Sequence, residues 1–225
     1  NLNKLLIRIL LHLQVEFSEG KTQVYMQLKS GESIILQTFT RSLQGEPEWK
    51  YRKEMDYSLS LDHGWKLRFV ESYPAIEGEF KIDTPSSWTE IAHPAAKINR
   101  GTALYSLELD LPELSADDWV LDLGDVRESA RVRINGQEAG IAWAAPFRLS
   151  IGQLLKSGKN LIEVEVTNLP ANSIAEMDRQ GKQWRIFEDI NMAKLNYEKG
   201  TYGHWETLPS GLNGIVRLIP VKYLF

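Results

Sequence analysis

Few residues of this 225-residue chain stand at spacings that chemistry demands. The histidines His12, His63, His93 and His204 lie far apart, whereas a zinc site draws at least two ligands at helical or strand spacing. Pro209-Ser210-Gly211 holds a serine but not the Gly-x-Ser-x-Gly frame of a nucleophile elbow, so a tight turn is expected there. Gly200-Thr201-Tyr202-Gly203 is followed by no lysine–serine pair opening a helix, which removes a phosphate loop. The carboxylate pairs Asp117-Asp118 and Glu188-Asp189 are adjacent in sequence, which points their side chains apart. A glycosidic bond needs two carboxylates on opposite sides, ~5 to 10 Å apart. No catalytic residue is nominated.

The seven tryptophans carry more information. Trp65, Trp88 and Trp119 sit at the starts or ends of apolar stretches, where core packing is the expectation. Trp143, Trp184 and Trp205 occur beside polar and charged residues in loop-like segments. Such rings suit sugars, because the axial C–H faces of a pyranose stack on an aromatic plane while Arg, Asp and Asn bond its hydroxyls. The candidate carbohydrate-binding set is therefore Arg127, Trp143, Arg148, Asn172, Asp178, Arg179, Trp184 and Trp205. The alternative is that these side chains cap the core or pack against a further domain.

Composition narrows the partners. Hydrophobic residues make up 43% and charged residues 25%, with a net charge of -4. That charge offers no electrostatic footprint for nucleic acid or an anionic membrane, and neither partner is expected. Cysteine is absent, which excludes disulfides and thiolate metal sites. The opening NLNKLLIRILLHLQVEF is interrupted by Arg8, His12, Gln14 and Glu16, so it is too short and too polar to span a bilayer. Its apolar residues Ile7, Ile9, Leu11, Leu13, Val15 and Phe17 recur with a period of two, as in a half-buried strand. With no initiator Met, the chain is expected to be a piece of something longer.

The elements that must position the candidate residues are short strands. Ile7 to Phe17, then Val24 to Leu28, then Ser33 to Thr38 read as three strands whose apolar face needs a cover. Residues 1–40 are thus expected to be strands from the end of a preceding β-domain. Residues 41–57, polar and without periodicity, are expected to be a linker, and 58–225 a second unit. There Trp65 to Phe69, Leu104 to Leu111, Val120 to Leu123, Ala130 to Ile134, Leu161 to Thr167 and Ile215 to Pro220 alternate or run apolar. Turn signals such as Asn135-Gly136 and Ser157-Gly158-Lys159-Asn160 separate them. Only Ile174 to Phe187 shows helical periodicity. The fold class predicted is all-β, an antiparallel β-sandwich of the jelly-roll kind.

The stretch from Leu121 to Asn168 makes this specific. A strand ends in Leu-Gly, the next ends in Asn135-Gly136, and a Gly-x-x-Trp turn and the Pro146-Phe147-Arg148 edge follow. Then comes Gly158-Lys159-Asn160 before an alternating strand that ends at Asn168. This resembles the galactose-binding-like jelly roll, the sugar-binding domain of family 2 glycoside hydrolases. Trp65 to Phe69, Ser86-Ser87-Trp88-Thr89 and Gly101 to Tyr105 stand in the order in which such domains begin. Thr167 to Asn172, Met177 to Gly181 with Trp184, and Pro209 to Val216 resemble the closing segments of the family 106 α-L-rhamnosidases.

What the resemblance implies is an exported enzyme, periplasmic or extracellular, that degrades plant-type polysaccharide. Its acid and base would lie in a barrel domain outside these residues, so that the missing catalytic domain of the same polypeptide is this chain's partner. The chain itself is then a non-catalytic module, either a carbohydrate-binding one that takes an oligo- or polysaccharide or a purely structural buttress. A chain that is itself a glycosidase is the third reading. No cofactor is expected. Related jelly rolls hold a structural calcium, but no Asp-x-Asp-x-Asp loop is present and that ion is left unassigned.

Overall fold

The computed structural model describes Leu13 and residues 15–39, 45, 47–113, 115–185 and 201–224. In chain order the strands are β1 (Val15–Ser18), β2 (Lys21–Val24), β3 (Arg52–Glu54), β4 (Leu59–Ser60), β5 (Trp65–Tyr73), β6 (Glu79–Ile82), β7 (Arg100–Leu111) and β8 (Asp118–Asp122). They continue as β9 (Val126–Arg127), β10 (Ser129–Ile134), β11 (Gln137–Ala142), β12 (Arg148–Ser150), β13 (Gly158–Thr167), β14 (Gly211–Leu212) and β15 (Arg217–Tyr223). One α-helix, α1 (Ala171–Arg179), is present among the described residues.

The strands form an antiparallel all-β sandwich, the expected class. One sheet runs in the order β11-β10-β13-β7-β5-β6, the other β12-β8-β15-β3 with β4 also on β15. Alternation in the sequence sets which face is buried. Ile162, Val164 and Val166 of β13 are fully buried, and Glu163 and Glu165 between them are not. Against them pack Trp65 and Leu67 of β5, Tyr105 and Leu107 of β7, Val132 of β10, Leu121 of β8 and Leu218 of β15. Each such large side chain contributes ~1.5 to 3 kcal/mol on burial, which orders the strands. Trp65, Trp88 and Trp119 lie in this core as the sequence suggests.

The β10–β11 hairpin turns at Asn135-Gly136 with φ of 54° and 78°, the left-handed pair that matches the strand twist in a two-residue turn. The Asn135 amide reaches further. Its Nδ2 donates to the Leu154 carbonyl at 2.9 Å and its Oδ1 accepts from the Leu161 amide at 3.0 Å. The turn is thereby tied to the start of β13.

At the N-terminal end, β1 and β2 pair as a two-stranded hairpin, Val15 opposite Val24. The first expected strand is described only from Leu13 onward, and its part 7–12 lies outside the described residues, as does His12. Residues 25–29 and 32–39, where two strands were expected, carry no regular structure. They lack ladder partners among the described strands, and alternation alone does not make a strand.

Part of the expected linker belongs to the sandwich. Tyr51 is buried, and β3 pairs with the last strand, Glu54 opposite Val221. Its polar sequence suits an edge strand with one solvated side. The preceding segment grips β3: the Tyr51 hydroxyl donates to the Tyr25 carbonyl at 2.9 Å, and the Gln27 amide bonds both backbone groups of Arg52.

Candidate functional site

Five of the eight candidate side chains are brought to one end of the sandwich by α1. The helix starts after Pro170 and stops before Gly181, where φ is 64° and the Gly181 and Lys182 amides donate to the Asp178 and Met177 carbonyls respectively. Asn172, Ser173 and Ala175 make its buried face. Its polar residues take hold of the segment 201–208. The Asn172 amide donates to the Leu208 carbonyl and accepts from the Leu208 amide, both at 2.8 Å. Asp178 accepts from the Trp184 indole and the Tyr202 amide. Arg179 donates to the Gly203 carbonyl at 2.8 Å and the Trp205 carbonyl at 2.6 Å, with Glu176 at 3.1 Å.

The result is a cluster of rings. Tyr202 stands between Trp205, with centroids 4.6 Å apart, and Trp184, 5.8 Å away. The Arg185 guanidinium lies 4.9 Å from the Trp184 centroid and 5.3 Å from that of Tyr202. Trp205 is exposed, while Trp184 and Tyr202 are half-buried. Tyr202 and Arg185 were missed in the sequence, although Tyr202 lies in the run Thr201-Tyr202-Gly203-His204-Trp205. What the sequence could not show is that Asp178, 24 residues upstream, accepts the Tyr202 amide.

The other three candidates sit elsewhere. Arg127, on β9, is bound to Asp125 at 2.8 Å, and that hydrogen bond pushes its pKa above the ordinary value. Trp143 follows β11 and is 77% exposed. Arg148, on β12, pairs with Asp122 at 2.6 Å and with Glu54 at 2.9 Å. Partial burial opposes the Arg148 charge, but the two carboxylates outweigh it and raise its pKa. Burial likewise works against ionised Glu54, and bonds from Lys29 and Arg148 reverse this, holding its carboxyl below the usual range. Of these partners neither Glu54 nor Asp122 was read as functional.

No three His, Cys, Asp or Glu side chains gather as a metal site among the described residues. A shallow concavity of about 530 Å³ runs beside β6 and is lined by Phe80, Lys81, Ile82, Glu90 and Ile91, none of them in the aromatic cluster.

The geometry defines an antiparallel β-sandwich with an aromatic cluster at one end and an ionic cluster on one sheet. No family model matches the chain. A Formosa agariphila protein described as "Putative beta-glucuronidase" is 29% identical over 228 residues, covering 91% of this chain and 20% of that protein. The structure of a rhamnosidase from Novosphingobium sp. PP1Y superposes on 92% of the chain with a TM-score of 0.65 and 26% identity, using 19% of the rhamnosidase. A beta-glucuronidase from an uncultured Clostridium sp. shares the fold over 83% of the chain at a TM-score of 0.51 and 18% identity. The chain is thus homologous to a segment of glycoside hydrolases, and spans about a fifth of the length of the first two.

Proposed function

We propose that the chain is a non-catalytic accessory module of a larger, exported glycoside hydrolase acting on plant-type polysaccharide, built as a galactose-binding-like jelly roll. The observation that carries this reading is proportion: nine-tenths of the chain matches only a fifth of each glycosidase. The side chains agree. Asn172, Asp178 and Arg179 are engaged with backbone groups of 201–208, and Arg148 is engaged with Asp122 and Glu54. Groups held this way brace a fold, and neither set places two carboxylates across a cleft. No helix of the described residues is long and apolar enough to cross a membrane.

A second reading, carbohydrate binding, rests on the Trp184–Tyr202–Trp205 cluster. Its segment is fastened to α1 before any ligand arrives, and an exposed indole beside two tilted rings offers planes to the C–H faces of a sugar. One titration separates the readings. Tryptophan fluorescence and calorimetry are followed while rhamnose-, galactose- and galacturonate-containing oligosaccharides are added to the chain. A bracing module gives no heat and no spectral shift at millimolar sugar. Saturable binding abolished by Trp205→Ala or Trp184→Ala establishes the second reading instead. Hydrolysis of an aryl glycoside by the chain alone would sink both.

A further inference from the structure

The outer side of β3 is occupied by residues 25–29, whose side chains take the place of a neighbouring strand. Among the described strands β3 pairs with β15 alone. On its other side the Gln27 Nε2 donates to the Arg52 carbonyl at 3.0 Å, and the Gln27 Oε1 accepts from the Arg52 amide at 2.9 Å. A primary amide carries the same donor and acceptor as a peptide group, so Gln27 imitates one rung of a ladder. The neighbouring contacts run in step with it. Tyr25 meets Tyr51 with ring centroids 5.2 Å apart, and the Tyr25 carbonyl accepts from the Tyr51 hydroxyl at 2.9 Å. Lys29 pairs with Glu54. Alternate residues of 25–29 thus engage 51, 52 and 54 in order.

A tight turn ends the segment. The Glu32 amide donates to the Lys29 carbonyl at 3.0 Å, and the Glu32 carboxylate accepts from the Lys29 amide at 2.8 Å. The turn is seated on the loop between β11 and β12, since a Cβ on Gly31 would lie 2.7 Å from the Ala145 carbonyl oxygen.

We infer that residues 25–29 are a strap that closes the β3 edge in cis, and that releasing it lets this edge pair with β3 of a second copy of the chain. A strand edge with unpaired backbone groups is a template for another chain, and folded sheets cover such edges. The Arg52 amide and carbonyl point outward, as their bonds to Gln27 require, and by the period of two Glu54 turns its own the same way. Two β3 strands set antiparallel about Lys53 then bring Arg52 opposite Glu54 in both halves, so that every outward-bonding pair joins opposite charges. Lys53 faces its own copy across the two-fold axis, which keeps the association weak. The strap is held largely by exposed groups, and water and salt screen the Lys29–Glu54 pair. It therefore opens at less cost than the sheets. The inference is independent of the module reading above.

Sedimentation velocity on the 225-residue chain tests this, together with hydrogen–deuterium exchange read by mass spectrometry. The native chain is expected to stay monomeric over a roughly hundred-fold range of concentration. In a Gln27→Ala, Lys29→Ala variant the amides of 52–54 should exchange roughly ten-fold faster at low concentration. That variant should associate as its concentration rises, while β13 exchanges unchanged. Adding Arg52→Pro should return it to the monomer, because the outward N–H is lost and the β15 ladder is kept. A Met26→Ala, Leu28→Ala variant, altered at two exposed side chains, should behave as the native chain does. A released variant that stays monomeric overturns the inference, as does association that survives Arg52→Pro or that the native chain shows equally. Should the double variant lose protection in β13, Gln27→Ala alone carries the same test.

Discussion

Arg148 and Glu54 meet at 2.9 Å although β8 and β15 stand between their strands in the order of the sheet. Arg148 lies opposite Asp122 in register and Glu54 opposite Val221, so the bridge lies on the sheet face turned away from the main core. On the same face Val120, Ile219 and Val221 make a second, small buried cluster. Charged side chains thus help to roof an apolar patch, with Lys29 joining Glu54 from the N-terminal segment.

Arg148→Met leaves the half-buried Asp122 carboxylate without its guanidinium. The expected cost is about 1 to 3 kcal/mol, because the remaining charge loses its partner inside a partly desolvated site. Glu54→Gln should cost less than about 1 kcal/mol, since that carboxylate is more exposed and water screens it. Urea unfolding midpoints check both, and an unshifted midpoint for the arginine variant contradicts the account.

The same carboxylate sets an acid limb. The folded Glu54 pKa lies below its ordinary 4.5, so its ion pairs contribute fully above that pH. The contribution fades as pH falls from 4.5 through the lower folded value. Melting temperatures of the native chain and Glu54→Gln, measured at a series of pH values, should converge on the acid side. A constant gap between them would remove Glu54 from the explanation.

Gly211→Ala should unfold or severely weaken the sandwich. Gly211 has φ of 98°, and a Cβ there would sit 2.2 Å from the Tyr105 hydroxyl and 2.8 Å from the Trp88 ring, both buried. Overpacking plus backbone strain amounts to about 3 kcal/mol or more. Gly136→Ala is the control: its φ is 78° but nothing lies within 4 Å. Only the backbone term remains there, about 1 kcal/mol. Equal losses in thermal melts would refute the packing argument.

Tyr105→Phe isolates one hydrogen bond in the same place. The buried Tyr105 hydroxyl accepts from the Leu212 amide at 3.2 Å, and burial raises its pKa. Leaving that amide unpaired should cost about 1 to 3 kcal/mol with the fold intact. Denaturant melts give the value; a stability gain would mean that the bond contributes nothing.

Asn172→Ala should loosen the Leu208 end of the segment 201–208 from α1 without unfolding the sheets, since Asp178 and Arg179 still hold Tyr202, Gly203 and Trp205. The buried Asn172 amide closes two 2.8 Å bonds to Leu208. Their loss is expected to speed amide exchange at the Leu208 end of 201–208 while β13 stays protected. Uniform acceleration across both would show that the helix supports the whole sandwich instead.

The fold class and the burial pattern of the long strands are legible in the order of residues alone. Period-two alternation in 161–167 and 104–111 fixes which faces are buried, because the apolar residues of each strand have one place to go. Asn135-Gly136 dictates its turn through backbone sterics that need no tertiary partner. The aromatic and basic candidates were also legible as types. What they touch is set by folding. Asp178 reaches Tyr202 and Asn172 reaches Leu208 across 24 and 36 residues, and Arg148 finds Glu54 across 94. Polar residues have several partners available in a chain, and the packed backbone chooses among them. For the same reason the polar stretch 52–54 reads as a linker until β15 supplies the strand that takes up its hydrogen bonds.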